Sequence, residues 1–290
     1  MRVLVLGAAG MLGHKLSQRL RADYEVAGTI RDPAPDAGLS RVLSGVQLYP
    51  GVQANDPSSL ERAIEDWQAE VVLNCVGIIK QTKAGNDPLT SIAVNSLFPH
   101  QLAHLTAARG ARLIHFSTDC VFSGQRGNYS EHDVTDPVDL YGRSKLLGEV
   151  TMHNALTLRT SIVGRELRGH LGLIDWFLSQ GGRRVNGYVR ALYSGLTTIA
   201  AAELVAWLIR AHPALEGLWH VSGEPISKFD LLRMVNRVYG LDIEIVPDEI
   251  FSCDRTLDSA RFQKCTGWRS PSWEDMIMNM YLDEATYAFG

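Results

Sequence analysis

Residues 3–13 read Val-Leu-Val-Leu-Gly-Ala-Ala-Gly-Met-Leu-Gly, which predicts a buried strand, a glycine-rich turn and then a helix. The apolar run Val3–Leu6 is typical of a strand that is covered on both faces of a sheet. Gly7 permits a tight turn, Gly10 lets a pyrophosphate approach the backbone, and Gly13 lets the helix pack close to the sheet. The helix N-terminus offers N–H groups and a positive dipole end to phosphates, so the motif predicts a dinucleotide site.

Strand and helix patterns alternate through the first half of the chain. Ser91–Arg109 and Leu140–His153 have helical patterns, and apolar strand-like runs precede each of them. Such alternation predicts an α/β fold with a doubly wound parallel sheet and helices on both faces. Beyond residue 165 the pattern loosens. We therefore predict a dinucleotide-binding domain over residues 1–165 and a smaller C-terminal substrate-binding lobe over residues 166–290, interwoven with the first.

Composition and net charge argue against several kinds of binding partner. The chain has 290 residues and a net charge of −4, which gives no electrostatic footprint for nucleic acid. No apolar run approaches the length of a membrane span, and the N-terminus enters a strand without a signal-peptide pattern. Four scattered cysteines fit reduced thiols, and the nine histidines show no metal-binding spacing. We expect a cytoplasmic protein that binds no metal, no nucleic acid and no membrane.

The segment Val26–Arg31 bears on the choice between the two nicotinamide cofactors. About twenty residues after the glycine turn, a carboxylate would bond the adenosine ribose of NAD. Here the segment holds no acid, but Thr29 and Arg31 offer a hydroxyl and a guanidinium for a 2′-phosphate. This favours NADP(H), with NAD(H) as the alternative if Arg31 is only a solvated side chain at a strand end.

Tyr141 and Lys145 form a pair that suits acid–base chemistry. Residues four apart share a helix face, so the ammonium group can lie near the phenol. A nearby cation favours the phenolate and lowers a tyrosine pKa toward the working range for proton transfer. Thr118 ends the strand before this helix, where its hydroxyl can bond a substrate oxygen. Together with the glycine turn, these residues predict hydride and proton transfer at a carbonyl or alcohol carbon.

Several motifs extend beyond these residues and carry a family resemblance. They are Gly7-x-x-Gly10-x-x-Gly13, Ser117-Thr118-Asp119-Cys120-Val121-Phe122-x-Gly124, Tyr129-x-Glu131 with Pro137, and Tyr141-Gly142-x-Ser144-Lys145-Leu146-x-Gly148-Glu149. The chain resembles the extended short-chain dehydrogenase/reductase family, and within it the dTDP-4-dehydrorhamnose reductase branch. The likeness covers the first 165 residues well and the rest loosely. It implies a Rossmann-type fold, NAD(P)H-dependent reduction of a nucleotide-linked 4-keto-6-deoxysugar for surface polysaccharides, and a homodimer.

The resemblance also implies roles for individual residues. The catalytic residues are Thr118, Tyr141 and Lys145. The cofactor-binding residues are Gly7, Gly10, Met11, Leu12, Gly13, Thr29, Arg31, Asn55, Asp56, Cys75, Val76, Gly77, Asn95, Ser117, Tyr141 and Lys145. The substrate-binding residues are Thr118, Asp119, Cys120, Val121, Tyr141 and Arg255.

Some of these residues keep a purely structural alternative. Asn55 and Asp56 also form a helix start, Asn95 could be a bridge between backbone segments, and Arg255 could be a surface ion pair rather than a diphosphate clamp. The tryptophans at 176, 268 and 273 are interpreted as core residues rather than nucleobase platforms.

Cys120 separates the hypotheses about the reaction. The related dehydratases carry Asp then Glu after the threonine, whereas this chain has Asp119 and Cys120, which speaks against dehydration. The reductases commonly have tyrosine at this position, so the resemblance leaves the sugar open. Two rival hypotheses remain open: a sugar-nucleotide epimerase or dehydratase that keeps its NAD bound, and a non-catalytic regulatory subunit that binds NADP.

Overall fold

The computed structural model describes residues 1–169 and 171–288, apart from the side chain of Lys83. Its strands are β1 (Arg2–Leu6), β2 (Glu25–Thr29), β3 (Gln47–Tyr49), β4 (Val71–Asn74), β5 (Arg112–Thr118), β6 (Ala155–Thr160), β7 (Ile162–Val163), β8 (Arg184–Tyr193), β9 (Leu196–Thr197), β10 (Gly217–His220), β11 (Ile226–Ser227) and β12 (Glu244–Asp254). Its α-helices are α1 (Met11–Leu20), α2 (Ala37–Val42), α3 (Pro57–Trp67), α4 (Pro88–Ser91), α5 (Phe98–Ala108), α6 (Leu140–Leu147), α7 (Leu173–Leu178), α8 (Thr198–Ala211), α9 (Lys228–Val238), α10 (Ala260–Thr266) and α11 (Trp273–Leu282).

The central sheet has the order β10-β6-β5-β4-β1-β2-β3, which is seven strands among the described residues. β1 lies in the middle and pairs in parallel with β2 and with β4, so that Leu4 stands opposite Ala27 on one side and Val72 on the other. The chain order reverses at β1, which is the point where such sheets bind their ligands. The predicted Rossmann-type parallel sheet is confirmed.

The chain forms two compact units, each made of three stretches. The first unit comprises Met1–Ser117, Asp139–Leu158 and Ala201–Leu218, and the second comprises Thr118–Val138, Arg159–Ala200 and Trp219–Gly290. Because the division crosses the chain several times, it differs from a single boundary near residue 165. The functional assignment of the two predicted domains stays a prediction.

Each unit has its own core. In the first, the apolar faces of β1 and β4 pack with α3 and α5 around buried residues such as Leu4, Ile64, Val72 and Phe98. In the second, a small sheet has the order β11-β8-β12, with β8 antiparallel to β11 and parallel to β12. α9 packs against β8 in this unit and buries Leu231, Leu232 and Val235. The sequence pattern did not reveal β8.

The helix predicted over Ser91–Arg109 is interrupted, so that prediction was wrong in its middle. α4 is followed by a π-helical segment, Ile92–Leu97, before α5 begins at Phe98. Pro99 has no N–H group, so it cannot donate to the carbonyl of Asn95 four residues earlier. The N–H of Phe98 instead donates to the Ala93 carbonyl, five residues back. The wider turn follows from this proline and is a feature often found at functional sites.

α6 ends at Leu147 rather than at the predicted His153. Gly148 is the residue after the last helical turn, and a Cβ built there would overlap the carbonyl oxygen of Asn95. A glycine at this position therefore lets α6 approach the π-helical segment closely. Helical periodicity continued past this point in the sequence, but the close contact and the glycine end the helix.

Candidate active site

The glycine turn has the geometry that its sequence predicts. Gly7 has a φ of +77°, a region that favours glycine, and its carbonyl oxygen accepts a 2.9 Å hydrogen bond from the N–H of Gly10. A Cβ built at Gly13 would overlap the Gly7 carbonyl. α1 begins at Met11, and its N-cap, Gly10, has no side chain with which to satisfy the first N–H groups. The turn therefore presents backbone donors that a phosphate can accept from.

Thr29 supports this turn from the end of β2. Its hydroxyl accepts a 3.1 Å hydrogen bond from the N–H of Gly7, and its carbonyl accepts one of 2.9 Å from Ala8. The side chain is buried. Arg31, two residues later, is exposed. Within this pair, Thr29 holds the turn in place, and Arg31 is the residue whose charge is open to solvent.

Asp56 has the structural role that the sequence left open. It is the N-cap of α3, where its carboxylate accepts hydrogen bonds from the Ser58 hydroxyl at 2.6 Å and the Ser59 N–H at 3.4 Å. The bond from Ser58 is the main reason that the pKa of Asp56 lies below its usual value. The helix cap is therefore present, and the adenine contact predicted for Asn55 and Asp56 stays a prediction.

The segment after β4 lies beside the glycine turn. The nearest atom to a Cβ built at Gly7 would belong to Val76, at 3.3 Å. The Asn74 carboxamide oxygen accepts a 3.1 Å bond from the N–H of Val76, which shapes the backbone that leads to Gly77. Burial raises the pKa of the Cys75 thiol well above its usual value. Cys75 is therefore a neutral, packed side chain here.

Asn95 bridges two parts of the first unit. Its carboxamide forms two bonds with the backbone of Ile78, at 2.8 Å to the N–H and at 2.9 Å to the carbonyl. It also donates to the Ser144 hydroxyl at 3.1 Å, and that hydroxyl donates to the Tyr141 carbonyl at 3.0 Å. The backbone bridge considered in the sequence is thus present, and it ties the segment after β4 to the first turn of α6.

Tyr141 and Lys145 both lie on α6, which begins after the N-cap Asp139. The Asp139 carboxylate accepts a 2.8 Å bond from the N–H of Gly142 and so fixes the first turn. Lys145 is buried, and its ammonium group donates a 2.7 Å hydrogen bond to the carbonyl of Phe116 on β5.

The surroundings of Lys145 set its charge. Burial lowers its pKa to about 8, while the nearby Glu149 and Cys75 act in the opposite direction. Glu149 also accepts a 2.6 Å hydrogen bond from the hydroxyl of Ser117, the residue after Phe116 in β5. A lysine with this pKa is still mostly protonated at neutral pH, so α6 carries a buried cation four residues after Tyr141.

The second unit holds Thr118, Asp119, Cys120 and Val121. The last three form a short 3-10 turn whose N-cap is Thr118. The Thr118 hydroxyl accepts a 3.1 Å bond from the N–H of Cys120 and donates one of 3.1 Å to the Asp119 carboxylate. Asp119 is buried, which raises its pKa, whereas the charge of Arg255 opposes that shift.

Arg255 lies against this turn. Its Nε donates to the Phe122 carbonyl at 3.0 Å, and its Nη1 lies 3.5 Å from the Cys120 sulfur. Sequence reasoning considered Arg255 as a diphosphate clamp or as a surface ion pair. The structure seats the guanidinium next to Cys120 and in the electrostatic field of Asp119. Its contact with substrate stays a prediction.

The second unit also contains a cavity of about 420 Å³. It is lined by Leu173, Trp176, Gln180, Arg184, Val185, Asn186, Tyr188, Lys228 and Leu232. The interpretation of Trp176 as a core residue was wrong, because this side chain is 37% exposed and lines the cavity, whereas Trp273 is buried. Trp176 follows a glycine-rich loop on a short helix, so its exposed face could not be read from periodicity.

Sequence reasoning missed the other residues of the cavity. Arg184, Val185, Asn186 and Tyr188 belong to β8, where buried and exposed residues alternate along Arg184–Gly187. That alternation is a strand signal that could have revealed them. Lys228 is the first residue of α9, and its charge also acts on Asp119. This lysine therefore belongs both to the cavity and to the surroundings of the Thr118 turn.

Within the described residues, no group of three or more His, Cys, Asp and Glu side chains could hold a metal ion. No helix in the same part of the chain is both long enough and apolar enough to cross a bilayer.

Comparison with known proteins identifies the family. The family model described as the RmlD substrate binding domain matches residues 1–284. The chain belongs to this family. The resemblance to dTDP-4-dehydrorhamnose reductases seen in the motifs is thereby confirmed, and it extends beyond the first 165 residues to nearly the whole chain.

The chain also aligns with individual proteins that are named dTDP-4-dehydrorhamnose reductase. A dTDP-4-dehydrorhamnose reductase of Mycobacterium tuberculosis is 31% identical over 286 residues, covering 91% of this chain and 81% of that protein. The enzyme of the same name from Burkholderia thailandensis is 34% identical over 168 residues, covering 56% of this chain. That alignment spans only half of the relative's own length, 50%.

A solved structure shares the fold. The dTDP-4-dehydrorhamnose reductase of Bacillus anthracis, in complex with NADP, matches with a TM-score of 0.79 and 19% identity, covering 97% of this chain and 99% of that one. At this identity the likeness supports the RmlD-family fold alone.

Proposed function

We propose that this chain is an NADPH-dependent reductase of a nucleoside-diphosphate 4-keto-6-deoxysugar, like the dTDP-4-dehydrorhamnose reductases. One observation carries the proposal. Lys145 is buried with its ammonium group held by the Phe116 carbonyl, on the helix whose first turn carries Tyr141. Burial of a cation costs stability, and a buried titratable group with a shifted pKa is a candidate for function; here it lies four residues from a potential proton donor.

The glycine turn supports a dinucleotide cofactor. Side chains at Gly7 and Gly13 would fill or distort the turn, and the first N–H groups of α1 lack a side-chain acceptor. These positions would hold the pyrophosphate, and Arg31 would meet a 2′-phosphate, which favours NADPH over NADH. When bound, the reduced nicotinamide supplies the hydride.

The chain's own residues then handle the oxygen and the proton. The Thr118 and Tyr141 hydroxyls bond the substrate carbonyl oxygen, and Tyr141 gives its proton to that oxygen as the carbon is reduced. The Lys145 ammonium stabilises the phenolate that remains. Asn95 and Ser144 hold the first turn of α6, so that the Tyr141 side chain starts from a fixed backbone.

The cavity in the second unit supports a nucleotide-linked substrate. Trp176 and Tyr188 offer aromatic faces for a base, while Arg184 and Lys228 bring positive charge suited to a diphosphate. Arg184 also lies 3.5 Å from Glu244, so this carboxylate offsets part of its charge. The dTDP sugar named for the relatives is one substrate to test. Because Cys120 stands where the reductases commonly have tyrosine, other nucleotide sugars should be tested as well.

The cellular setting is part of the same proposal. Cys75, Cys120, Cys253 and Cys265 form no disulfide within the described residues, which fits a reducing compartment such as the cytoplasm. We place the reaction there, in the synthesis of a surface polysaccharide. The homodimer stays a prediction, which light scattering on the purified protein would test.

The direct test is NADPH oxidation with a panel of dTDP- and UDP-4-keto-6-deoxysugars. We expect a substrate-dependent loss of absorbance for at least one of them. Tightly retained NAD with no net consumption of cofactor would favour the epimerase or dehydratase hypothesis instead. NADP binding without turnover of any ketosugar would favour the regulatory subunit.

A further inference from the structure

The Thr118 hydroxyl already has its proton engaged inside the second unit. It donates that proton to the Asp119 carboxylate at 3.1 Å and accepts a hydrogen bond from the Cys120 N–H at 3.1 Å. A hydroxyl has one proton and two lone pairs. In this arrangement the oxygen has one lone pair left, so Thr118 can accept a hydrogen bond but cannot donate one to a ketone.

A neutral Asp119 would reverse this arrangement. Its carboxylic acid O–H can donate to the Thr118 oxygen, which then accepts from both Asp119 and the Cys120 N–H. The proton of Thr118 is released and can point at a carbonyl oxygen. Ketone reduction needs the second arrangement, because a carbonyl oxygen gaining negative charge is stabilised by donors.

The groups around Asp119 shift the equilibrium between its neutral and ionised forms in both directions. Burial favours the neutral acid and raises the pKa of Asp119, while the charges of Arg255 and Lys228 and the hydrogen bonds from Thr118 and Cys120 favour the carboxylate. The buried Tyr193 hydroxyl, which has no hydrogen-bond partner among the described residues, also feels the Asp119 charge. Burial and that charge raise the pKa of Tyr193 well above its usual value, so its phenol is neutral.

We propose that Asp119 is a positioning residue for Thr118, and that its protonated form turns the Thr118 hydroxyl into a donor for the substrate carbonyl. The inference rests on the proposed ketone reduction, and it gives Asp119 a role through Thr118 rather than through direct contact with the sugar.

A kinetic test compares Asp119→Asn with Asp119→Leu between pH 5 and pH 7.5. The Asn amide donates to Thr118 at every pH, whereas the wild-type carboxyl group donates only when it is protonated. The ratio of kcat/KM for the Asn variant to that for the wild type should therefore increase with pH, by at most about tenfold per pH unit. Leu has a similar volume but no donor, and should be the slower variant throughout. A pH-independent ratio of Asn to wild type, or equal rates for Asn and Leu, would overturn the proposal.

A second measurement does not depend on activity. The carboxyl ¹³C resonance of Asp119, assigned by its absence in Asp119→Asn, is titrated in the wild type and in Thr118→Val. The Thr118 hydroxyl bonds both forms of Asp119, but a hydrogen bond to the charged carboxylate is stronger than one to the neutral acid, so its loss should raise the pKa of Asp119. An unchanged pKa would show that Thr118 does not interact with Asp119 and would overturn the inference even in an active reductase. Wild-type protein that oxidises no NADPH, with the pKa change present, would instead count against the proposed function.

Discussion

The Lys145 ammonium group donates a 2.7 Å hydrogen bond to the Phe116 carbonyl oxygen, two residues before Thr118 in β5. This contact joins α6 to the strand whose last residue is Thr118. It also fixes a cation inside the first unit, where burial has lowered its pKa to about 8.

The depressed pKa predicts how activity and stability change with pH. The ammonium is lost as pH rises through about 8, so kcat/KM of the free enzyme should fall above that pH. Stability should change in the other direction. Between pH 8 and Lys145's ordinary value of 10.5 the unfolded chain binds the proton and the folded chain does not, so the free energy of unfolding rises with pH.

The measurement is urea unfolding of the wild type and of Lys145→Met at pH 7.5 and pH 10.5. Between these two pH values, the free energy of unfolding of the wild type should increase by up to about 3 kcal/mol more than that of the variant. Titration of other groups affects both proteins equally and cancels in the difference. No relative gain would mean that Lys145 is not buried as a cation.

Gly13→Ala tests the glycine turn. The added Cβ would overlap the Gly7 carbonyl, so the turn must open and its N–H groups must move. We expect a stability loss of about 1–3 kcal/mol and at least about a tenfold weaker affinity for NADPH. Gly181→Ala is the matched control, because a Cβ there meets no atom within 4 Å. If calorimetric titration gave both variants the NADPH affinity of the wild type, the result would contradict the cofactor site.

Arg31→Ala tests cofactor choice. Arg31 is exposed and follows the strand end at Thr29, where a 2′-phosphate is expected. A hydrogen bond to a charged group contributes about 1.5–3 kcal/mol, so the NADPH affinity should fall at least about tenfold while the NADH affinity changes little. Arg41→Ala, also on an exposed arginine, controls for the lost surface charge. Equal losses of affinity for NADPH and NADH would show that Arg31 does not contact the 2′-phosphate.

Trp176→Ala tests the cavity as the nucleotide site. Stacking of a base on an aromatic ring contributes about 1–3 kcal/mol, so the affinity for the nucleotide sugar should fall roughly 5- to 100-fold. The dissociation constant of NADPH should not change. Trp207→Ala, which alters a tryptophan of the first unit, is the comparison. If Trp176→Ala changed only the affinity for NADPH, the cavity would not be the substrate site.

Much of the first unit could be predicted from the sequence because its signals are local. The run from Val3 to Gly13 specifies a strand, a turn and a helix by apolar content and glycine placement, and α1 follows the turn over Met11–Leu20. The start of α11 is also a local feature, because its N-cap Ser272 accepts a hydrogen bond at its hydroxyl from the N–H of Asp275.

Other features depend on contacts that no local pattern reveals. The close approach of Gly148 to Asn95 in the π-helical segment joins residues that are far apart in the chain. The contact of Arg255 with Cys120 joins residues separated by 135 positions. The buried state of Asp119 likewise reflects the packing of distant elements, so its interaction with Thr118 could be recognised only in three dimensions.

The central claim is that Tyr141 protonates a substrate carbonyl while the cofactor reduces it. Tyr141→Phe should fold normally and bind NADPH, because only a hydroxyl is removed, yet its kcat should fall by about 10²- to 10⁴-fold.

The most direct measurement follows the label from NADPH deuterated at nicotinamide C4 during incubation with a dTDP-4-keto-6-deoxysugar. The account predicts that the wild type transfers deuterium to C4 of the product sugar when the label stands on one of the two faces of the nicotinamide ring. It also predicts almost none with Tyr141→Phe in the same time. Absence of label with the wild type for every ketosugar, or equal labelling by the two proteins, would contradict it.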